Sequence, residues 1–303
     1  MSHYPVGALS NRRGYSLKGL EEAPVNYLEE IDYTQPGFGD LYDELPLWSA
    51  PFGLLLLDRV PMKPGMRILD VGSGTGFLAL ELAQRCGPES KVIAVDPWQP
   101  GMIRLRRKLD ELGLTNVVII EQDAAKVYLR PESIDLVVSN LGLNNFEDLD
   151  AVLGACFRFA RSGARLVLTT NLVGHMSEFY DVYRATLIEL GQTNRLAALE
   201  THINHRGTVE SVSMSIRDAG FEVLNIERQS FRMRFANGSS LLRHYFIRLG
   251  FVQGWKSVAE PASVEATFET LERNLNTLAE ERGELALTIP MACVEASKPS
   301  VEK

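Results

Sequence analysis

From residue 67 onward, short apolar runs rich in Val, Ile and Leu alternate with segments of helical periodicity. The runs fall at Arg67–Val71, Lys91–Val95, 116–120, 134–139 and 164–170. They are continuous rather than alternating, which is the pattern of strands buried on both faces. Between them, 77–86, 101–112 and 148–160 carry apolar positions at helical spacing, and Gly87 and Gly113 close the first two. This repetition predicts an α/β fold, a doubly wound, mostly parallel sheet with helices on both faces.

On either side of this block the pattern is less regular. Residues 1–40 are rich in Gly, Pro, Asn and Tyr without a period, and read as an irregular arm. Residues 41–60 hold Tyr42, Trp48, Phe52 and a leucine run. Pro51 suits an early helical turn, so a helix is predicted there, ending before Pro61. Later helices are predicted at 176–190, 209–219, 239–249 and Val264–Arg282, and strands at 221–227 and 284–295. The stretch 196–206 has no period. Phe231, Met233 and Phe235 alternate with Arg232 and Arg234, as in a half-buried strand-like segment. The organisation expected is an N-terminal arm and cap helix over 1–60 and one domain over 61–303. Insertions near 172–220 and 230–283 would supply an inserted helical cap.

Composition narrows the partners. The chain has 303 residues, 45% of them hydrophobic and 23% charged, which suits an ordinary globular core. A net charge of −8 disfavours nucleic acid, because phosphate contacts supply most of such affinity. Cys86, Cys156 and Cys293 are far apart and form no CxxC pair, so neither a disulfide framework nor a metal site is expected. No apolar run reaches the roughly 18 residues that span a bilayer. No run of signal-peptide length opens the chain, so a cytoplasmic protein without a membrane partner is the expectation.

The chemistry concentrates at predicted strand ends. Leu69-Asp-Val-Gly-Ser-Gly-Thr-Gly-Phe77 follows the first strand and opens a helix. Glycines let backbone approach a ligand closely, and a helix N-terminus offers free N–H groups. Asp70 ends the first strand and Asp96 follows the second, 20 residues after Gly76. A carboxylate placed there can accept from both ribose hydroxyls. Asp123 follows the third strand, where a carboxylate can accept from an adenine amino group. Any one of these is as often a turn or a cap, but three strand ends in order beside a glycine loop are not coincidence.

This combination resembles the class I S-adenosylmethionine-dependent methyltransferases, over roughly residues 65–170 and the expected last strands. The resemblance implies a Rossmann-like seven-stranded sheet and S-adenosyl-L-methionine as cofactor. It further implies that Asp70, Gly72, Ser73, Gly74 and Gly76 carry the methionine part, Asp96 the ribose, and Asp123 with Ala124 the adenine. Pro97, Trp98 and Asn140 border the same cofactor site. A dinucleotide fingerprint fits worse, since position 77 is Phe and Asp70 would face a pyrophosphate.

The loop from Ser139 to Phe146 has no Asn/Asp-Pro-Pro-Tyr/Phe motif, which would mark methylation of a planar nitrogen. It is more similar to loops of the small-molecule group that includes the ubiquinone/menaquinone-biosynthesis and malonyl-carrier-protein enzymes. A small-molecule acceptor follows from the resemblance, and a homodimer stays open. His175, after the fifth strand, is the catalytic-base candidate. Tyr42, Trp48, Asn144, His202, His205 and Arg206 are candidate acceptor contacts. Two other readings stand beside this one: a cofactor-binding protein without turnover, and a methyltransferase acting on a macromolecule.

Overall fold

The computed structural model describes residues 26–35, 37–43 and 45–300. Most of the arm expected over 1–40, and the last three residues of the tail, lie outside the described residues. The strands are β1 Arg67–Val71, β2 Lys91–Val95, β3 Val117–Ile120, β4 Ile134–Asn140, β5 Ala160–Asn171, β6 Glu222–Phe235 and β7 Leu285–Ser297. The helices of the first half are α1 Phe38–Asp43, α2 Ala50–Leu57, α3 Phe77–Arg85, α4 Gln99–Leu112 and α5 Leu149–Phe159. Those of the second half are α6 Ser177–Glu189, α7 Leu196–Ile203, α8 Val209–Asp218, α9 Gly238–Arg243, α10 Tyr245–Ile247, α11 Gln253–Val258 and α12 Val264–Arg282.

The strands form one sheet in the order β3-β2-β1-β4-β5-β7-β6. β1 to β5 run parallel, and β7 lies antiparallel between β5 and β6. Successive side chains point to opposite faces, so β1 feeds both cores: Ile68 packs with the side that holds α2, α3 and α4, Leu69 and Val71 with the side that holds α5 and α8. Strand order reverses between β1 and β4, and ligands of such sheets bind beyond the carboxyl ends at that point.

Four elements differ from the sequence reading. The strand expected over 221–227 and the alternating segment at 231–235 are one continuous strand, β6, because all of it pairs with β7. The helix expected over 239–249 breaks at His244, whose backbone is extended (ψ 126°), and resumes as α10 before a π turn at Arg248–Val252. The stretch 196–206 forms α7, which buries only Leu199 and therefore shows no period. The single helix expected within 41–60 is two, α1 and α2, with Pro46 in the turn between them.

Helices α6, α7 and α9 to α12 form a cap beside the β5–β7–β6 end of the sheet. Its anchor is Trp255, fully buried and stacked on Phe179 at 3.9 Å between ring centroids. The Trp255 indole N–H donates to the Tyr180 hydroxyl at 3.2 Å, and the Tyr183 hydroxyl donates to the Trp255 carbonyl at 2.9 Å. Trp255→Ala is expected to lower stability by about 3–5 kcal/mol, the usual cost of emptying an indole-sized site, measured by urea unfolding.

Candidate functional site

The turn after β1 is dictated by its backbone. Gly72, Gly74 and Gly76 all have positive φ (74°, 53° and 88°), a region other residues enter at a cost. A Cβ on Gly76 would also sit 2.2 Å from Leu105 Cδ1, so only glycine lets α3 start against α4. The Gly72 and Ser73 amides both donate to the Val95 carbonyl, at 2.9 and 3.1 Å, which pins the turn to the end of β2. A Cβ on Gly74 would meet nothing within 4 Å, so that stretch of backbone is open.

Asp70 and Asp96 flank this turn. Asp70 is 1% exposed, and its Oδ2 has no partner. Burial first, then the nearby Asp96 charge, pushes its carboxyl up to about 7. Asp96 Oδ2 accepts the Gly74 amide at 2.9 Å and Oδ1 accepts the Trp98 amide at 2.8 Å. Burial still holds its carboxyl above the usual range, against those two amides. Among the described residues neither carboxylate has an ion-pair partner, and the buried Ser73 hydroxyl is also unpaired.

The remaining predicted cofactor contacts lie around this pair. Pro97 is exposed. Trp98 packs edge-on against Tyr42 at 5.2 Å, so Tyr42 stands at the cofactor end of the site. Asp123 lies at the edge of the crevice, where its Oδ1 accepts the Ala125 amide at 2.9 Å and Oδ2 pairs with Lys126 at 3.2 Å. Ala124 opens the 3-10 turn that this bond caps. Asn140 ends β4, accepting from Thr169 Oγ1 at 2.7 Å and donating to the Ser49 carbonyl at 3.1 Å.

Beyond β4 and β5 the lining changes character. Asn144 donates to Asn171 Oδ1 and accepts from Thr170 Oγ1 at 2.9 Å. His175 is 2% exposed, and neither ring nitrogen has a partner. Its ring lies edge-on to Trp48 at 5.4 Å and stacked on Phe251 at 5.4 Å. Burial, reinforced by Arg206, His205 and His202, drives its pKa well below the ordinary value, so the imidazole is neutral. His202 packs on Tyr180 at 5.8 Å, while His205 is exposed. Among the described residues, no group of three His, Cys, Asp or Glu side chains could hold a metal ion.

Asn171, Thr170, Tyr180 and Phe251 belong to this region and escape the sequence reading. Asn171 ends β5, so the strand-end pattern that selects Asp70 and Asn140 would also have selected it. Tyr180 and Phe251 carry no such signal, because α6 and the π turn bring them in from distant sequence.

These features fit an S-adenosylmethionine-like ligand. The open glycine backbone admits close approach, the Asp70 Oδ2 and the Ser73 hydroxyl lack partners among the described residues, and two carboxylates without a cationic partner there favour a cation. A family model described as a methyltransferase domain matches residues 62–230. The malonyl-[acyl-carrier protein] O-methyltransferase of Methylococcus capsulatus is 29% identical over 180 residues, 59% of this chain. This chain thus spans 60% of the length of that relative. A ubiquinone/menaquinone biosynthesis C-methyltransferase of Vibrio parahaemolyticus is 28% identical over 228 residues, 69% of this chain and 85% of its own length. The solved structure of Haemonchus contortus phosphoethanolamine N-methyltransferase 2 superposes with a TM-score of 0.50 at 20% identity, over 82% of this chain and 52% of that one.

The raised Asp70 carboxyl gives a stability signature. Between the ordinary aspartate value of 3.8 and about 7 the folded state holds a proton that the unfolded chain has released. Its contribution is complete below the lower value and is lost as pH rises through about 7. Asp70→Asn should therefore gain on the native chain as pH rises from 4 to 7, by an amount on the order of 4 kcal/mol for such a shift. Thermal midpoints of both proteins across that range check this.

Proposed function

This chain belongs to the methyltransferase domain family, and on that premise we propose that it transfers the methyl group of S-adenosylmethionine to a small-molecule acceptor. One observation carries the reading: an open glycine turn flanked by the buried Asp70 and the half-buried Asp96, neither with a counter-cation among the described residues. When bound, the sulfonium supplies an already activated methyl group, so the protein mainly aligns and desolvates.

The residues divide by place. Asp70, Gly72, Ser73, Gly74 and Gly76 hold the cationic methionine end. Asp96 receives the ribose hydroxyls through lone pairs left over from its two amide bonds. Asp123 and Ala124 meet the adenine at the crevice edge, with Pro97 and Trp98 alongside. Asn140, Asn144 and Asn171 lie where β4 and β5 end, between the cofactor turn and the aromatic wall of Trp48 and Phe251. His175 is a base for an acceptor hydroxyl or carbon acid, since its imidazole is neutral and both nitrogens are unpaired. The net charge of −8 supports a small acceptor over nucleic acid. Among the described residues no helix is long and apolar enough to cross a membrane.

Calorimetry tests the first half. S-adenosylmethionine or its demethylated product should bind at micromolar concentration, and Asp96→Ala should weaken binding at least tenfold, the value of about 1.4 kcal/mol of lost charged hydrogen bonds. No binding of either compound would refute the reading. Transfer of labelled methyl from the cofactor into the small-molecule fraction of a cell extract tests the second half. Label appearing only in protein or RNA would favour macromolecular methylation, and binding without any transfer would favour a protein without turnover. His175→Gln should keep cofactor affinity and lower kcat by about 10²–10⁴, the range of one general base.

A further inference from the structure

The far end of the proposed acceptor region holds a cation, Arg206, that no carboxylate among the described residues neutralises. The loop after β5 and the loop before α8 are tied by the Val173 amide, which donates to the Gly207 carbonyl at 3.2 Å. That bond sets Arg206 beside His175 and its aromatic neighbours. Arg206 Nη1 is buried and has no partner. Its guanidinium faces the Tyr180 hydroxyl, and among the described residues no carboxylate pairs with it. Among the other half-buried arginines, Arg104 pairs with Asp43 at 3.0 Å, Arg195 donates to the Val258 carbonyl at 2.6 Å and Arg243 pairs with Glu272 at 2.5 Å, while Arg248, like Arg206, keeps a buried nitrogen without a partner but lies away from His175 in the π turn.

The surroundings add donors rather than negative charge. His175, with both nitrogens free, lies between Trp48 and Phe251. His202 is held against Tyr180 and against α11, where a Cβ on Gly254 would meet its Cε1 at 2.8 Å. His205 is 5.5 Å from His202 and reaches solvent. A buried cation without a partner is unfavourable in a fold unless a ligand completes it. A guanidinium fork matches two oxygens of one oxoanion.

We propose that Arg206 receives an anionic oxo group of the methyl acceptor, a carboxylate or a phosphate ester, while the acceptor's apolar body lies along Trp48, Phe251 and His175. The proposal rests on the methyltransferase reading and narrows its acceptor to an anion with an apolar body. Tyr180 and His202 are positioning residues: Tyr180 orients the guanidinium, and His202 closes the loop end of the compartment.

The test uses the full chain saturated with S-adenosylhomocysteine, titrated calorimetrically at fixed ionic strength. The probes are phenylacetate, phenyl phosphate and the neutral phenylacetamide. At least one anion should bind about tenfold or more tighter than the amide, the scale of one charged hydrogen bond. The tighter of the two anions identifies the oxo group. Arg206→Gln should erase that preference without changing S-adenosylhomocysteine affinity, and Arg206→Lys should keep part of it. The Tm of Arg206→Gln should equal or exceed that of the native chain, because an uncompensated charge has been removed. Equal binding of anions and amide, or a preference that survives Arg206→Gln, overturns the proposal. So does an absence of binding by all three probes. The comparison of probes on the native chain stands even if a variant fails to fold. Failure of S-adenosylhomocysteine itself to bind sinks the parent reading instead, so the two failures are distinct.

Discussion

The structure depends on one small constraint: the Val95 carbonyl accepts two amides from the turn that follows β1. This fixes Gly72 and Ser73 against the end of β2, and with them the start of α3. Two more contacts are laid on that fixed point. Ser139 Oγ donates to the Val71 carbonyl at 2.6 Å, and a Cβ on Gly72 would stand 3.3 Å from Gly142 Cα. The ends of β1, β2 and β4 are therefore locked together by backbone and by the Ser139 hydroxyl, before any ligand-facing side chain is considered. Asp96 adds to the turn by accepting the Gly74 amide, whereas Asp70 Oδ2 is left unpaired beside it.

That dependence on backbone explains what the sequence discloses. Glycines at positive φ and strand-end carboxylates are local requirements, so 69–77, Asp96 and Asp123 announce the cofactor end. The β-branched runs disclose β1 to β5 for the same reason, because burial on both faces writes itself into each strand. β6 is less legible. Its residues are mostly half-buried or exposed, and only pairing along the whole of β7 makes it one strand. Helix α7 hides because a single residue, Leu199, faces the core.

The acceptor end is illegible for a different reason. Trp48, His175, Phe231, Phe246 and Phe251 come from the α1–α2 turn, the loop after β5, β6, α10 and the π turn, yet their rings meet within 5.2 to 6.2 Å of Trp48. No spacing rule connects such positions. His175 could be singled out as a residue beyond β5, but its burial and its free nitrogens are products of tertiary packing. The same holds for Arg206, whose lack of a carboxylate partner is invisible until every neighbouring element is in place.

The two ends also differ in what they can do to a reaction. Carboxylates near a cationic group stabilise it before any bond changes, and methyl transfer disperses that positive charge in the transition state. An interaction weakened at the transition state lowers KM and cannot raise kcat. On the proposed reading, Asp70 and Asp96 thus belong to affinity, and to the distinction between charged cofactor and neutral product. On the same reading, rate comes from the other end, where the rings around Trp48 would desolvate and align the acceptor. The role proposed for the half-buried Arg206 fits this division. Its bond to a remote anionic group is unaffected by charge dispersal at the methyl carbon, so it can fix the acceptor's direction of approach without opposing the transfer.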